Sequence, residues 1–296
     1  MSALTVTAVA GHIGAEVDGF DVRDPEAAMP ALLDALHEHG VVFIRGAHLT
    51  DDEQMALARC FGDPSLFPTA KIFGMTEPTA TEIVDSADSP PRADYWHTDA
   101  TWLAKPPAYA LLTSVATCER GGDTLWASGW GIYESLSPAM QDWFCTLEVQ
   151  HGNDSFIQGV IDKAGEEVIE KFDLVNRLRD EYPPVVHPLV RSHPVTGRRS
   201  IYWGGRFIRH VVGLEPAESD AVLQILRDKL EDPRFHVRWR WTEGDLAIWD
   251  EAQTMHRSAG DHAGQYRSVR RIEVDGGRPF FDPSDTRRIA ASGALR

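Results

Sequence analysis

The chain has 296 residues, 43% hydrophobic and 25% charged. That suits one large globular domain or two small ones, because single cores stop growing at roughly 250–300 residues. Counting 45 acidic against 29 basic side chains leaves a net charge of −16 with histidines neutral, a field that repels phosphate backbones and anionic lipid. It argues against nucleic-acid and membrane partners but not against a small anionic substrate, which answers to the local charge of its pocket. Cys60, Cys118 and Cys145 are too scattered for a disulfide framework or a C-x-x-C zinc site. With no signal-peptide pattern and no apolar run near the ~20 residues that span a bilayer, the expectation is a cytoplasmic protein.

In chain order, Leu4 to Val22 alternates loosely and is broken by Gly11, Gly14 and Gly19, which predicts short strands and turns. Asp24-Pro25 predicts a helix start and Gly40 its end. Val41-Val42-Phe43-Ile44 has the form of a buried strand. Thr50-x-x-Glu53 resembles a capping box, opening a helix with Met55, Ala56, Ala58 and Phe61 inward. Strands then dominate: Glu82–Val84, Ala108–Val115, Thr124–Ala127, Val185–Val190, Arg238–Trp241, Leu246–Trp249 and Ser268–Val274. Helices interrupt them after Ser137-Pro138 and over Pro216 to Leu230, the latter with Val222, Ile225, Leu226 and Leu230 on one face. The charged, poorly periodic stretch 153–182 reads as a lid or surface insertion. No linker divides the chain, so residues 1–296 are read as one domain, mainly β with flanking helices.

Of the twelve histidines, interest falls on Trp96-His97-Thr98-Asp99. In extended backbone His97 and Asp99 project to the same side, and such a pair can occupy adjacent positions on an octahedral metal. One more imidazole completes the two-histidine, one-carboxylate triad of non-haem Fe(II) oxygenases, which leaves coordination positions free for a cosubstrate and O2. An H-x-D triplet alone is a weak signal. His12, His37, His39, His48, His151, His193, His210, His236 and His262 sit among polar or turn residues and are read as bland. His256, after the strand that ends at Trp249, is the candidate third ligand. Arg267 and Arg271 follow it by 11 and 15 positions. Extended backbone puts Arg267, Val269 and Arg271 on one face and Arg270, Ile272 and Val274 on the other. An inward arginine in a β-barrel is costly unless it meets an anion, and a guanidinium fork fits a carboxylate, so a bound dicarboxylic acid is suggested. A solvated edge strand is the plainer alternative.

These landmarks resemble the taurine dioxygenase-like (TauD/TfdA) branch of the Fe(II)- and 2-oxoglutarate-dependent dioxygenases. The ordered set also includes Gly14-Ala15-Glu16-Val17-Asp18-Gly19, Gly40 to Gly46, Pro106-Pro107-Ala108, Gly121-Gly122-Asp123-Thr124, His187-Pro188-Leu189-Val190, Gly244-Asp245 and Trp249-Asp250. The resemblance implies a double-stranded β-helix (jelly roll, cupin-like) core. It implies His97, Asp99 and His256 as ligands of Fe(II), and Thr124 and Arg267 as holders of the distal carboxylate of 2-oxoglutarate. Arg271 takes the place of the residue that grips the substrate's anionic group. It further implies O2 as cosubstrate, ascorbate as an activator, and a homodimer or homotetramer. Asp99 matters because halogenating relatives lack this carboxylate, so hydroxylation is expected.

Departures from the family pattern shape the substrate expectation. Where sulfonate- and sulfate-directed members carry a histidine before proline, this chain has Phe67-Pro68, with Lys71 nearby as a possible replacement. The asparagine that taurine-binding members carry before H-x-D is replaced by Ala93 or a neighbour, and the one after Trp-Asp by Glu251, read as an exposed turn residue. Phe67, Tyr95 and Trp102 are expected to contact substrate, with Phe73, Trp126 and Trp203 as further aromatics near the site. The expected reaction is hydroxylation of an aliphatic C–H in a small organic acid with an apolar or aromatic body, including cleavage beside a heteroatom in an aryloxy ether, sulfate or sulfonate. Alternatives are oxidative tailoring (desaturation or cyclisation) in secondary metabolism with the same cofactors, a zinc hydrolase or isomerase, and a non-catalytic metal-binding jelly-roll protein.

Overall fold

The structure is a computed structural model that describes residues 4–284 except 92 and 263. Its larger sheet runs, in spatial order, through Thr5–Ala8, Ala15–Asp18, Val41–Ile44, Leu246–Asp250, Tyr109–Ala116, Arg267–Val274 and Thr81–Asp85. All neighbours are antiparallel except Ala15–Asp18 with Val41–Ile44. A second sheet of His236–Trp239, Thr124–Ser128 and Thr254–Ser258 faces it, and a bridge between His97 and His256 extends that sheet's edge. Glu148–His151 pairs with both Ile208–Val211 and Val185–Pro188, and Val190–Ser192 pairs with Arg199–Ile201. The architecture is a jelly roll with helices outside.

The period of two that alternates side chains across a strand explains how the layers stack. Val42, Ile44, Leu111, Leu246, Ile248, Ile272 and Val274 point outward onto helices Met29–His39 and Asp51–Arg59. Phe43, Ala110, Leu112, Ala247, Trp249 and Val269 point inward and meet Trp126, Trp239 and Trp241. Phe43 stacks on Trp239 with ring centroids 4.0 Å apart. The apolar run at 41–44 is continuous because both its faces are covered.

The Thr50/Glu53 capping box forms as expected, and Pro216–Leu230 is helical. Other details differ. Pro25 opens a turn, its carbonyl accepting from both Ala28 and Met29, so the first helix begins only at Met29. Leu57 and Gln54, not Ala56, face inward on the second helix. Leu223, not Ile225, completes the buried face of the long helix, and Ile225 is exposed. The stretch 153–182 folds as three short helices, Asp154–Lys163, Glu166–Lys171 and Leu174–Glu181. The first and third share a small core of Ile72, Ile157, Leu174 and Leu178, while the middle one buries no residue. Asn153 Nδ2 donates to Leu178 O at 2.7 Å and fastens the two ends of the segment. Its helical period is hard to read because no piece exceeds ten residues and Asp173 breaks the run at φ 46°. Among the described residues no helix is long and apolar enough to cross a membrane.

Candidate active site

His97 and Asp99 lie on one side of extended backbone, as the period of two requires, while Thr98 between them turns away and donates to Thr254 O at 3.0 Å. The paired main-chain bonds between His97 and His256 (3.1 and 2.8 Å) bring the third residue alongside, with ring centroids 4.3 Å apart. Gly205 permits the tight backing of this loop: a Cβ there would sit 2.5 Å from Trp96 O. The ligating atoms of His97, Asp99 and His256 all lie within 4.8 Å of one another, and all three residues are buried.

The donor set fits a divalent metal. His97 Nδ1 donates to Tyr95 O at 2.8 Å, which fixes the tautomer and turns the Nε2 lone pair inward. His97 Nε2 is 3.6 Å from Asp99 Oδ1, and His256 Nε2 is 3.7 Å from Asp99 Oδ2, separations too long for hydrogen bonds. Burial, with His97 adjacent, pushes His256 down to about 3, so its imidazole is neutral as a ligand must be. Burial alone would raise Asp99, yet Arg271, with His256 and His97, holds its carboxyl well below the usual range. Arg271 Nη1 donates to both Asp99 oxygens, at 3.1 and 3.0 Å.

On one side of this centre, Arg267 reaches inward from the same strand face as Arg271 and is 5% exposed. Its Nη2 donates to Thr124 Oγ1 at 3.4 Å and its Nη1 to Asp85 Oδ2 at 3.2 Å. Trp241 Nε1 donates to the same Thr124 hydroxyl at 3.0 Å, and His262 Nε2 lies 3.3 Å from Asp85. Asp85 and His262 carried no recognisable signal in the sequence.

On the other side opens a cavity of about 1280 Å³. Phe67, Phe73, Met75, Phe156, Val160 and Leu174 form its apolar wall, and Tyr95, Arg206, Arg271 and Glu273 are among its polar lining. Phe67 and Tyr95 are thus on the wall. Trp102 is not: it is fully buried behind Phe67 and Phe156, stacked on Phe156 at 5.2 Å. Trp126 and Trp203 belong to the core. Lys71 is exposed on the short helix Pro68–Ile72 and lies outside the lining, whereas Arg206, not anticipated, is part of it.

Two further carboxyls, Glu251 and Glu273, are buried near the triad. Glu251 is buried at 1% exposure rather than on an exposed turn. It accepts from Asp99 N at 3.1 Å and Trp249 Nε1 at 2.6 Å, so it braces the ligand loop. Burial and the Asp99 carboxylate raise its pKa well above the ordinary range. Glu273, overlooked in the sequence, continues the inward face of the arginine strand, with Oε1 3.2 Å from Arg271 Nη2. Burial, opposed by Arg271, pushes it up to about 7.

A second cluster has the same composition, His37, His193 and Asp250, and none of it was expected. His193 Nδ1 accepts from the main-chain N–H of Val195 and Thr196 (3.2 and 3.0 Å), which forces the proton onto Nε2, and that donates to Asp250 at 2.6 Å. Asp250 also accepts from Ala252 N and Gln253 Nε2, while His37 Nε2 meets Tyr109 OH at 2.8 Å. These atoms are committed to the fold. His151 and His262, also read as bland polar residues, are fully buried as well.

The comparisons with known proteins agree with this geometry. The model of the taurine catabolism dioxygenase TauD, TfdA family matches residues 5–272. An alkylsulfatase of Acinetobacter baylyi is 34% identical over 278 residues, covering 92% of this chain and 85% of that protein. An alpha-ketoglutarate-dependent sulfate ester dioxygenase of Pseudomonas putida is 34% identical over 98% of this chain and 95% of its own length. The crystal structure of a taurine dioxygenase from Burkholderia xenovorans superposes with a TM-score of 0.75 at 28% identity, covering 99% of this chain and 97% of that one. With the family model spanning nearly the whole chain and a His-Asp-His triad suited to iron at its centre, the protein belongs to the TauD, TfdA family and is an Fe(II)- and 2-oxoglutarate-dependent dioxygenase.

Proposed function

We propose that this enzyme hydroxylates an aliphatic C–H of a small organic acid with an apolar or aromatic body, at a carbon next to a heteroatom. The observation that carries this reading is one cavity wall that runs from Arg271, beside the triad, into the aromatic surface of Phe67, Phe73 and Phe156. A volume of about 1280 Å³ is far more than a two-carbon sulfonate fills. The names of the alkylsulfatase and sulfate ester relatives point to the same substrate class.

In this reading His97, Asp99 and His256 hold Fe(II), and Thr124 and Arg267 hold the distal carboxylate of 2-oxoglutarate. The Asp85 contact keeps the Arg267 guanidinium aimed inward. When bound, iron with 2-oxoglutarate and O2 supplies the oxidising power, the cosubstrate leaving as succinate and CO2. Arg271 grips the acid group, the phenylalanines hold the body, and Trp102 props two of them from behind. The helical segment 153–182 lends Phe156, Val160 and Leu174 to the wall and shields the reacting carbon from water. A hydroxyl installed beside an ether or ester oxygen leaves a hemiacetal-like product, which parts into a carbonyl compound and a released anion or phenol. The three unpaired cysteines suit a cytoplasmic setting.

The test is a panel of medium-chain alkyl sulfates, aryloxyacetates and arylalkanoic acids, assayed for succinate together with the carbonyl product. Equal yields of the two products with at least one class are expected. Succinate formation that no member of the panel stimulates would contradict the reading.

A further inference from the structure

The landmark His187-Pro188 has no part in the triad, the cosubstrate end or the cavity wall, yet its imidazole reaches the turn that carries Asp99. That turn runs from Asp99 to Trp102 and is closed by Leu103 N, which donates to Ala100 O at 2.9 Å. Ala100 stands at φ 46°, a left-handed conformation that a residue with a Cβ keeps only where its surroundings hold it. The hold is at Thr101, which is fully buried. His187 Nε2 donates to Thr101 O at 3.0 Å and to Leu103 O at 3.1 Å, and His151 Nδ1 meets the Thr101 hydroxyl at 2.9 Å. Both histidines are buried. They share one face of the paired strands Glu148–His151 and Val185–Pro188, where Val149 stands opposite His187 and Val185 opposite His151, and their ring centroids are 5.3 Å apart. Gly204 leaves room for this contact: a Cβ there would lie 2.3 Å from Thr101 Oγ1 and 2.6 Å from His151 Nδ1.

We propose that His187 and His151 are positioning residues for the metal centre: by fixing Thr101 they fix the turn that presents Asp99 at one end and Trp102, the buttress of Phe67 and Phe156, at the other. The inference rests on the reading of Asp99 as an iron ligand and goes beyond it. Arg271 and Glu251 hold the Asp99 carboxylate and amide directly. The histidines hold the backbone just after it, where relaxation of Ala100 would swing the ligand. They also flank the helical segment 153–182 in sequence, so the same contacts tie the base of that cavity-lining segment to the ligand turn.

The test is Fe(II) binding to the metal-free protein, measured anaerobically by calorimetry, with chemical denaturation of the same samples to read fold stability separately. His187→Leu keeps the bulk and removes the donor, and is expected to weaken Fe(II) binding about 10-fold, the lower end for groups that orient a metal ligand. His187→Gln, whose amide restores an N–H donor, is expected to bind within about twofold of wild type. Thr101→Val removes the hydroxyl alone; a weakening of about fivefold is expected, and it decides the question by the same readout if His187→Leu does not fold. His193→Gln is the control for a lost buried histidine away from the turn, and its Fe(II) affinity should match wild type. Wild-type Fe(II) affinity in folded His187→Leu or in Thr101→Val would overturn the proposal. So would His187→Gln as weak as His187→Leu, or equal losses in His187→Leu and His193→Gln, since either would mark a general structural effect. Asp99→Ala separates this inference from the reading beneath it. If Asp99→Ala binds Fe(II) as wild type does, the ligand assignment fails and this inference with it; if it loses iron while His187→Leu does not, this inference alone fails.

Discussion

Two buried clusters in this molecule have identical composition, two histidines and one aspartate, and opposite character. At His37, His193 and Asp250, two main-chain N–H groups fix the His193 tautomer, and its remaining proton meets the aspartate at 2.6 Å. At His97, Asp99 and His256 the histidine nitrogens stay 3.6 and 3.7 Å from the carboxylate oxygens, and the one short imidazole bond, to Tyr95 O, turns the other nitrogen inward. The first cluster joins a helix, a hairpin and a sheet strand; the second brings its ligating atoms within 4.8 Å of one another beside Arg271. Residue types alone therefore do not define a metal site. What defines it is lone pairs that the fold orients and leaves without a partner.

Breaking either cluster should separate these roles. His97→Ala or Asp99→Ala is expected to abolish iron retention and all substrate-dependent succinate formation, checked by metal analysis and turnover. His193→Gln is expected to keep one metal per folded chain while lowering stability by about 1.5–3 kcal/mol, the worth of one hydrogen bond to a buried carboxylate that Ala252 N and Gln253 Nε2 still serve. Chemical denaturation monitored by fluorescence reads that loss. At the cosubstrate end, Arg267→Gln should raise the 2-oxoglutarate requirement by roughly 10–100-fold, since a hydrogen bond to a charged group contributes about 1.5–3 kcal/mol. Metal affinity should be unchanged, and a 2-oxoglutarate titration of the visible band distinguishes the two effects.

Acid should weaken the fold through histidines of the committed kind. Burial pushes His151 to about 3 and His187 to about 4, from 6.5 in the unfolded chain. Between those values the unfolded state binds more protons than the folded one. The contribution is therefore fully present above pH ~6.5 and is lost as pH falls toward the folded values. The denaturation midpoint should drop between pH 7 and 5, and His151→Gln should flatten that slope. The smallest effect belongs to Lys71→Ala: the side chain lies outside the cavity lining, so substrate affinity should stay within about twofold of wild type.

Much of the site was readable because strands obey a simple period. The same rule that pairs His97 with Asp99 sets Arg267, Val269 and Arg271 inward and Ile272 and Val274 outward. It also places Glu273 inward, yet a glutamate at the end of a strand reads by habit as solvated, and only the cavity shows otherwise. Glu251 misled for a related reason. A carboxyl after Trp-Asp looks like a turn residue until Asp99 N and the Trp249 indole are seen converging on it. Asp85, His262 and the His193 cluster depend on contacts between distant strands, and the sequence carries no local mark of them. The helices of 153–182 were hidden because each is short, and the first and last draw their stability from a shared core with Ile72.

The most direct test is an anaerobic titration of the metal-free protein with Fe(II), then 2-oxoglutarate, followed by visible absorption and metal stoichiometry in wild type, His256→Ala and His193→Gln. The expected result is one iron per chain and a charge-transfer band that needs both additions, present in wild type and His193→Gln and absent in His256→Ala. A band that survives in His256→Ala, or loss of iron from folded His193→Gln, would assign the metal to the wrong cluster and contradict the account.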